Sequence, residues 1–146
     1  MKVWSSLWAI LALASCASVP MAPSADDDAG KIFGPPPAGM GALYVARGSG
    51  LPGSPAVNIS VASKVVGSLA DYTWFRLELP PGNYDVRASS PDGSGSLDIT
   101  LTAGQTRYFA VKGSNWAVGR TVTELPLDQG RLLVMSGQRA REIRER

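Results

Sequence analysis

Short runs in which apolar and polar residues alternate, separated by glycine and proline, recur through most of this chain. The central stretch, residues 73–89, contains two of them, FRLEL and YDVRA. Each run has the period of two that is typical of a half-buried β-strand. Between the runs, Pro80, Pro81 and Gly82 remove two backbone N–H donors and supply one residue that tolerates positive φ, so the chain must reverse there. The stretch therefore predicts an antiparallel hairpin.

The same kind of run recurs about every ten residues, a spacing typical of β-sandwiches. Gly67 inside one run indicates a bulge or a close backbone approach. Tyr84, which follows the structural corner at Pro81 and Gly82, resembles the tyrosine corner of such folds, whose hydroxyl bonds to the backbone. The chain is therefore expected to be all-β, an antiparallel two-sheet β-sandwich of about seven or eight strands. The strands predicted outside the central hairpin are residues 41–47, 57–61, 65–69, 97–101, 106–112 and 120–125.

From residue 127 the pattern fits two structures. Asp128 as a helix cap and Gly137 as a helix stop indicate a short C-terminal helix, whereas residues 131–135 have the composition of a last strand. We favour the helix. Residues 138–146 are mostly charged, and we expect them to be a frayed, solvated helix end.

The N-terminus is typical of an exported protein. An apolar run over residues 3–14 follows a single lysine and is too short to span a bilayer. The run ends in Leu13-Ala14-Ser15-Cys16, which resembles the lipobox of bacterial lipoproteins. This resemblance implies that residues 1–15 are a signal peptide cleaved between Ser15 and Cys16. It also implies that Cys16 receives a diacylglycerol and an N-linked acyl chain such as palmitate, which anchor the protein in a lipid bilayer. An ordinary signal peptide with a chance cysteine is the alternative.

The lipobox resemblance also implies a location and a spacer. Lipoproteins retained in the inner membrane typically carry Asp after the cysteine, whereas this chain has Ala17, which implies the outer membrane with the domain facing the periplasm. Residues 16–39 are rich in proline, alanine and aspartate, including the triplet Asp26-Asp27-Asp28. Such a segment cannot bury enough apolar surface to fold. We expect it to be a disordered tether, followed by the β-sandwich domain at residues 40–126 and a C-terminal segment at residues 127–146.

Four segments of the expected domain carry a second resemblance. They are Leu43-Tyr44-Val45, residues 65–69, residues 75–86 with the corner, and residues 101–109. Together they resemble the bacterial lipoproteins grouped as domain of unknown function 2846. The corner is also similar to that of carboxypeptidase-regulatory-like and PEGA-like sandwiches. The resemblance implies an envelope location and a sandwich fold. It gives no indication of an activity.

Composition excludes several kinds of chemistry. The 146 residues include no histidine and one cysteine, so the chain cannot form Ser-His-Asp or Cys-His catalytic groups, a zinc site built from His and Cys, or an internal disulfide. A net charge of +2 is too small for a nucleic-acid-binding surface. Carboxylates at Asp71, Glu78, Asp92 and Asp98 leave open a two-acid hydrolase, but scattered acids on outward strand positions are common. We expect no enzyme, no cofactor, no metal site and no nucleic-acid partner.

Two tryptophans define the candidate binding surface. Trp74 lies on the polar face of its predicted strand together with Arg76, and Trp116 lies in a predicted loop. The first hypothesis for function is a non-catalytic module that binds another envelope protein. The second is a carbohydrate- or peptidoglycan-binding module in which both tryptophans stack on sugars. A purely structural alternative is that one or both cover an end of the sandwich beneath a loop.

Overall fold

The structure, a computed structural model, describes residues 18–51, 53–113 and 119–143. The predicted cleavage site at Ser15 and Cys16 lies outside these ranges. Within them the chain forms two helices and nine strands, in the order α1 (Ser24–Gly30), β1 (Gly41–Arg47), β2 (Val57–Val61), β3 (Lys64–Leu69), β4 (Thr73–Leu79), β5 (Gly82–Ser90), β6 (Gly93–Leu101), β7 (Thr106–Gly113), β8 (Arg120–Leu125), α2 (Leu127–Met135) and β9 (Gln138–Arg139). Neither helix in this part of the chain is long and apolar enough to cross a bilayer.

The strands form two sheets that enclose a common apolar core. One sheet has the order β8-β7-β1-β4-β9 and the other has the order β3-β2-β5-β6. Leu43, Phe75 and Phe109 from the five-stranded sheet share this core with Ile59 and Val86 from the four-stranded sheet. The mostly-β, two-sheet prediction is therefore confirmed. The sheets are not wholly antiparallel, because β1 pairs in parallel with β7, and β4 with β9. Alternation along a strand identifies its buried face and does not identify its neighbours.

The predicted central hairpin is wrong in one respect. Strand β4 pairs with β1, whereas β5 pairs with β2 and β6, so the chain passes from one sheet to the other at Pro80 and Pro81. The corner itself is as predicted: the Tyr84 hydroxyl donates a hydrogen bond to the Pro80 carbonyl oxygen over 2.6 Å. A bulge next to Gly67 is also confirmed, because the β2–β3 register shifts between Ile59 and Ser60.

The C-terminal helix is confirmed, although its surroundings differ from the prediction. Helix α2 has Pro126 at its N-cap without any side-chain cap, so Asp128 is not the capping residue. The described residues that follow, 138–143, do not continue the helix, so the predicted frayed helix end is wrong for this part. Gln138 and Arg139 form β9 beside the start of β4, and Ala140 is buried in the core. Gly137 allows this close approach, because a Cβ there would lie 2.6 Å from the Tyr72 carbonyl oxygen.

The tether prediction is wrong for the part of residues 16–39 that the structure describes. Residues 24–30 form helix α1, and the preceding residues pair with the C-terminal segment. The Ala22 amide donates to the Arg139 carbonyl oxygen over 3.0 Å, and the Arg141 amide donates to the Pro20 carbonyl oxygen over 2.8 Å. Composition alone missed this order because the segment covers apolar surface on the sheet rather than forming a core of its own.

The closed side of the sandwich, where β6 meets β8, supports a direct test. A Cβ on Gly95 would collide with the backbone carbonyl of Arg120. We predict that Gly95→Ala lowers the free energy of unfolding by about 1–3 kcal/mol, because the backbone must move to admit the methyl group.

The matched control is Gly34→Ala, since nothing lies within 4 Å of where its Cβ would be. We expect this control to change stability by less than about 0.5 kcal/mol. Urea unfolding followed by tryptophan fluorescence measures both variants. Equal effects of the two substitutions would contradict the close contact between β6 and β8.

Candidate functional site: the free edge of β4

The outer face of the five-stranded sheet carries an aromatic layer, formed by Tyr44, Trp74 and Tyr108. The rings of Tyr44 and Tyr108 stack with centroids 5.0 Å apart, and those of Tyr44 and Trp74 are 5.7 Å apart. Two glycines bring the helices onto this layer, because Gly30 of α1 lies against the Trp74 ring and Gly130 of α2 lies against Tyr108. The layer is therefore buried between the sheet and the two helices.

This burial decides what Trp74 can do. Its side chain is 0% exposed, so the ring cannot be the sugar-stacking platform or exposed contact that the candidate surface required. Alternation correctly placed Trp74 on the face opposite the core, but α1 covers that face. Trp116, its predicted companion, lies outside the described residues. The Trp74 ring instead contacts the guanidinium of Arg139, which lies 5.5 Å from the ring centroid.

Arg76 holds the N-terminal segment, residues 18–39, against the sheet. Its Nη2 donates to the carbonyl oxygens of Gly34 and Pro35 over 3.2 and 3.3 Å, and its guanidinium lies over the Tyr44 ring. The Tyr44 hydroxyl in turn donates to the Gly30 carbonyl oxygen over 2.8 Å. Burial raises the pKa of Tyr44 above its ordinary value, although the charge of Arg76 opposes this. The hydroxyl therefore stays protonated and keeps donating this bond.

One long edge of β4 is only partly occupied. Strand β9 pairs with Thr73 and Trp74, and no strand among the described residues pairs on this edge beyond Trp74. The Trp74 carbonyl oxygen accepts from the Ala140 amide over 2.8 Å, and the Arg76 amide donates to Glu142 Oε1 over 3.2 Å. Because the backbone groups of alternate residues point to the same edge, the Glu78 N–H and C=O also point away from β1.

The free edge of β4 is the floor of an open groove of about 590 Å³, which we call the β4 edge groove. It contains two arginines and two glutamates beside apolar residues. Glu142 accepts from the Arg76 amide and from the Arg139 guanidinium, over 3.2 and 2.9 Å. The Ile143 side chain is 60% exposed beside it. The groove is lined by Ala29, Gly30, Arg76, Leu77, Glu78, Leu79, Arg139, Glu142 and Ile143.

A second polar cluster lies at the end of the sandwich where β1 ends and β8 begins. The Arg47 side chain is 3% exposed and forms an ion pair with Asp71 over 2.8 Å, and it donates to the carbonyl oxygens of Pro55 and Leu69. Arg120 is similarly buried, with Asp92 3.1 Å away. Burial lowers the pKa of Arg47, while Asp71 opposes this shift. These contacts fasten loops to strand ends.

Three of the four acids considered for catalysis have separate arginine partners. Asp71 pairs with Arg47 and Asp92 with Arg120, while Glu78 lies 3.4 Å from Arg76. Asp98 is exposed on β6. Among the residues that the structure describes, no group of His, Cys, Asp and Glu is arranged to hold a metal ion.

Comparison with known proteins adds no relative. No protein-family model matches this chain, and a search of the curated proteins found no similar sequence. The resemblance to domain of unknown function 2846 therefore stays a prediction.

Sequence reasoning identified Arg76 as a candidate but missed the groove, because the groove depends on β9 ending after two residues. It also missed the buried pairs of Arg47 and Arg120, whose signal was a charged residue at the end of an apolar strand.

The role of Arg47 can be measured. We predict that Arg47→Met lowers the free energy of unfolding by about 1–3 kcal/mol, because it leaves a buried carbonyl acceptor without a donor. The control is Arg87→Met on the exposed face of β5, which is expected to cost less than about 0.5 kcal/mol. Urea unfolding compares the two proteins. Similar losses from both substitutions would show that the buried contacts of Arg47 contribute nothing beyond a surface residue.

Proposed function

We propose that this chain is a lipid-anchored, non-catalytic protein of the bacterial cell envelope whose β-sandwich binds an extended segment of another envelope protein along the β4 edge groove. The Leu13-Ala14-Ser15-Cys16 motif supports the anchor at Cys16, and Ala17 supports an outer-membrane location facing the periplasm. Within the two-sheet architecture, we propose that the fold is a sandwich of the carboxypeptidase-regulatory or PEGA type. A binding role of this kind requires no catalytic residues.

The observation that carries the proposal is the free half of β4. An exposed strand edge pairs readily with another chain, and proteins usually block such edges. Here Glu142 occupies the Arg76 amide, but no described residue forms a backbone pair with Glu78. An added strand would gain main-chain hydrogen bonds there, as in other cases of β-augmentation. The edge is short, so the side chains of the partner must contribute a large part of the affinity.

The lining of the groove indicates the chemistry of the partner. Leu77 and Leu79 pack partly against the core, and Ile143 is exposed next to them. A partner segment with alternating apolar residues would bury these side chains. Charged residues of either sign on its other face would meet Glu78 or Arg139 at the rim of the groove. The alternative carbohydrate-binding module required an exposed Trp74, and this side chain is buried. No other observation on the described residues favours that alternative.

Photo-crosslinking in intact cells tests this proposal. A photoreactive amino acid at position 143 lies in the groove, and one at position 98 lies on the exposed face of the other sheet. We expect a reproducible protein adduct from position 143 and none of the same mass from position 98. Mass spectrometry of the adduct identifies the partner segment that lies on the groove.

A second substitution separates strand pairing from general contact. Glu78→Pro removes the backbone N–H that points to the free edge and leaves the β1–β4 hydrogen bonds in place. Glu78→Ala removes the same charge and keeps the N–H. The adduct should disappear with Glu78→Pro and persist with Glu78→Ala, provided that both variants unfold cooperatively like the parent. An adduct that survives Glu78→Pro, or that forms equally from both positions, would contradict the proposal.

A further inference from the structure

The first described residues of the chain are fixed to the edge of the sandwich. Val19 packs against the apolar core, the Pro20 carbonyl oxygen accepts from the Arg141 amide over 2.8 Å, and Met21 forms a β-bridge with Ala140. Ser18 therefore leaves the domain at a defined place. This place lies on a second open groove, of about 560 Å³, which Ser18 shares with Met21 and Tyr72. We call this surface the N-terminal edge.

The length of chain before this edge limits how far the domain can stand from its anchor. Only Ala17 and Ser18 separate Cys16 from Val19, and three fully extended residues span at most about 11 Å. A freely flexible tether over residues 16–39 would instead have an average reach of about 27 Å. The headgroup layer on each side of a bilayer is about 5–7 Å thick. If Cys16 is acylated, the N-terminal edge therefore lies within about 11 Å of the acylated residue, a distance comparable to the thickness of the headgroup layer.

The exposed side chains on this edge suit a lipid surface. The Tyr72 ring is 52% exposed and Met21 is also exposed. Tyrosine is favoured at the boundary between headgroups and acyl chains, because its ring is apolar and its hydroxyl remains wet. The nearby charges are neutralised, since Lys31 pairs with Asp27 and Asp71 with Arg47.

The backbone of Tyr72 gives an independent reason to consider its side chain. Its φ of 53° lies in the left-handed region, which costs a residue with a Cβ roughly 1 kcal/mol or more. The carbonyl of Tyr72 accepts from the Gln138 amide over 3.0 Å, and its amide donates to the Gly48 carbonyl oxygen over 3.3 Å. Glycine or asparagine would relieve the strain and keep both bonds. The turn instead presents a large aromatic ring to solvent.

From these observations we infer that the N-terminal edge is a bilayer-contacting surface, at which Tyr72 and Met21 enter the headgroup region of the membrane that holds the acyl chains of Cys16. This inference rests on the lipid anchor of the proposed function. It assigns the domain a fixed side toward the membrane instead of free movement on a spacer. The N-terminal edge and the β4 edge groove share no lining residue, so the bilayer and a partner strand would contact different residues.

Spin labels on the full-length acylated protein test the inference. The protein is produced with its own signal sequence and placed in vesicles of phosphatidylethanolamine and phosphatidylglycerol. Labels are attached at Tyr72→Cys, at Met21→Cys and, as a control on the exposed face of β6, at Asp98→Cys. An acylated Cys16 has no free thiol, so each variant carries one label. The collision rate of the label with a water-soluble nickel complex and with oxygen reports its depth.

We expect labels at positions 72 and 21 to collide severalfold less with nickel, relative to oxygen, than the label at position 98. The two test positions make the result independent of a folding defect in either variant. The mass of the N-terminal peptide from the same sample reports acylation. An unacylated peptide would overturn the anchor and this inference together. An acylated peptide with equal nickel access at all three positions would overturn this inference and leave the anchor standing.

A soluble form distinguishes the bilayer from other covers. The same labels are placed on a Cys16→Ser protein that is produced without residues 1–15 and studied without vesicles, in which each label should regain the nickel access of position 98. Protection that remains in this soluble protein would assign the N-terminal edge to contact within the chain or between copies of it. That result would also overturn the inference of bilayer contact.

Discussion

A sheet with apolar residues on both faces must be covered on both sides, and this constraint organises the protein. All seven residues of β1 are buried. On one face, Leu43 and Val45 belong to the core between the two sheets. On the other face, Tyr44 belongs to the aromatic layer, which the second sheet cannot reach. Burial of apolar surface is the main favourable contribution to folding, and an aromatic surface left in water would contribute nothing to it. Other parts of the chain must therefore cover this face.

Helices α1 and α2 provide that second cover, from opposite ends of the sequence. Each uses a glycine to lie against an aromatic ring: Gly30 against Trp74 and Gly130 against Tyr108. The segment that contains α1 is also joined to β9, by the 2.7 Å bond from the Arg139 amide to Asp27 Oδ1. The N-terminal segment is thus part of the fold. Its order shortens the link to the lipid anchor that we propose, and the end of β9 leaves half of the β4 edge open.

Local pattern predicted much of the sandwich and little of its cover. The strands Gly41–Arg47 and Val57–Val61 have the predicted bounds, because alternation and turn residues are local signals. The sheet membership of β4 and β5 was missed, since pairing depends on neighbours that are distant in sequence. The disorder expected for residues 16–39 followed from composition, and composition does not show that Trp74 on a distant strand needs a cover. The β4 edge groove depends on both of these long-range features.

Hydrogen exchange at single amides tests the central claim, that the N-terminal segment folds as part of the domain. The amides to follow are Ala22, which donates to the Arg139 carbonyl oxygen, and Arg139, which donates to Asp27. Both bonds tie the N-terminal segment to the C-terminal one. We predict that these amides exchange slowly, with protection approaching that of β1. Exchange at the rate of an unfolded chain, while β1 stays protected, would show that the segment is a free tether and would contradict this claim.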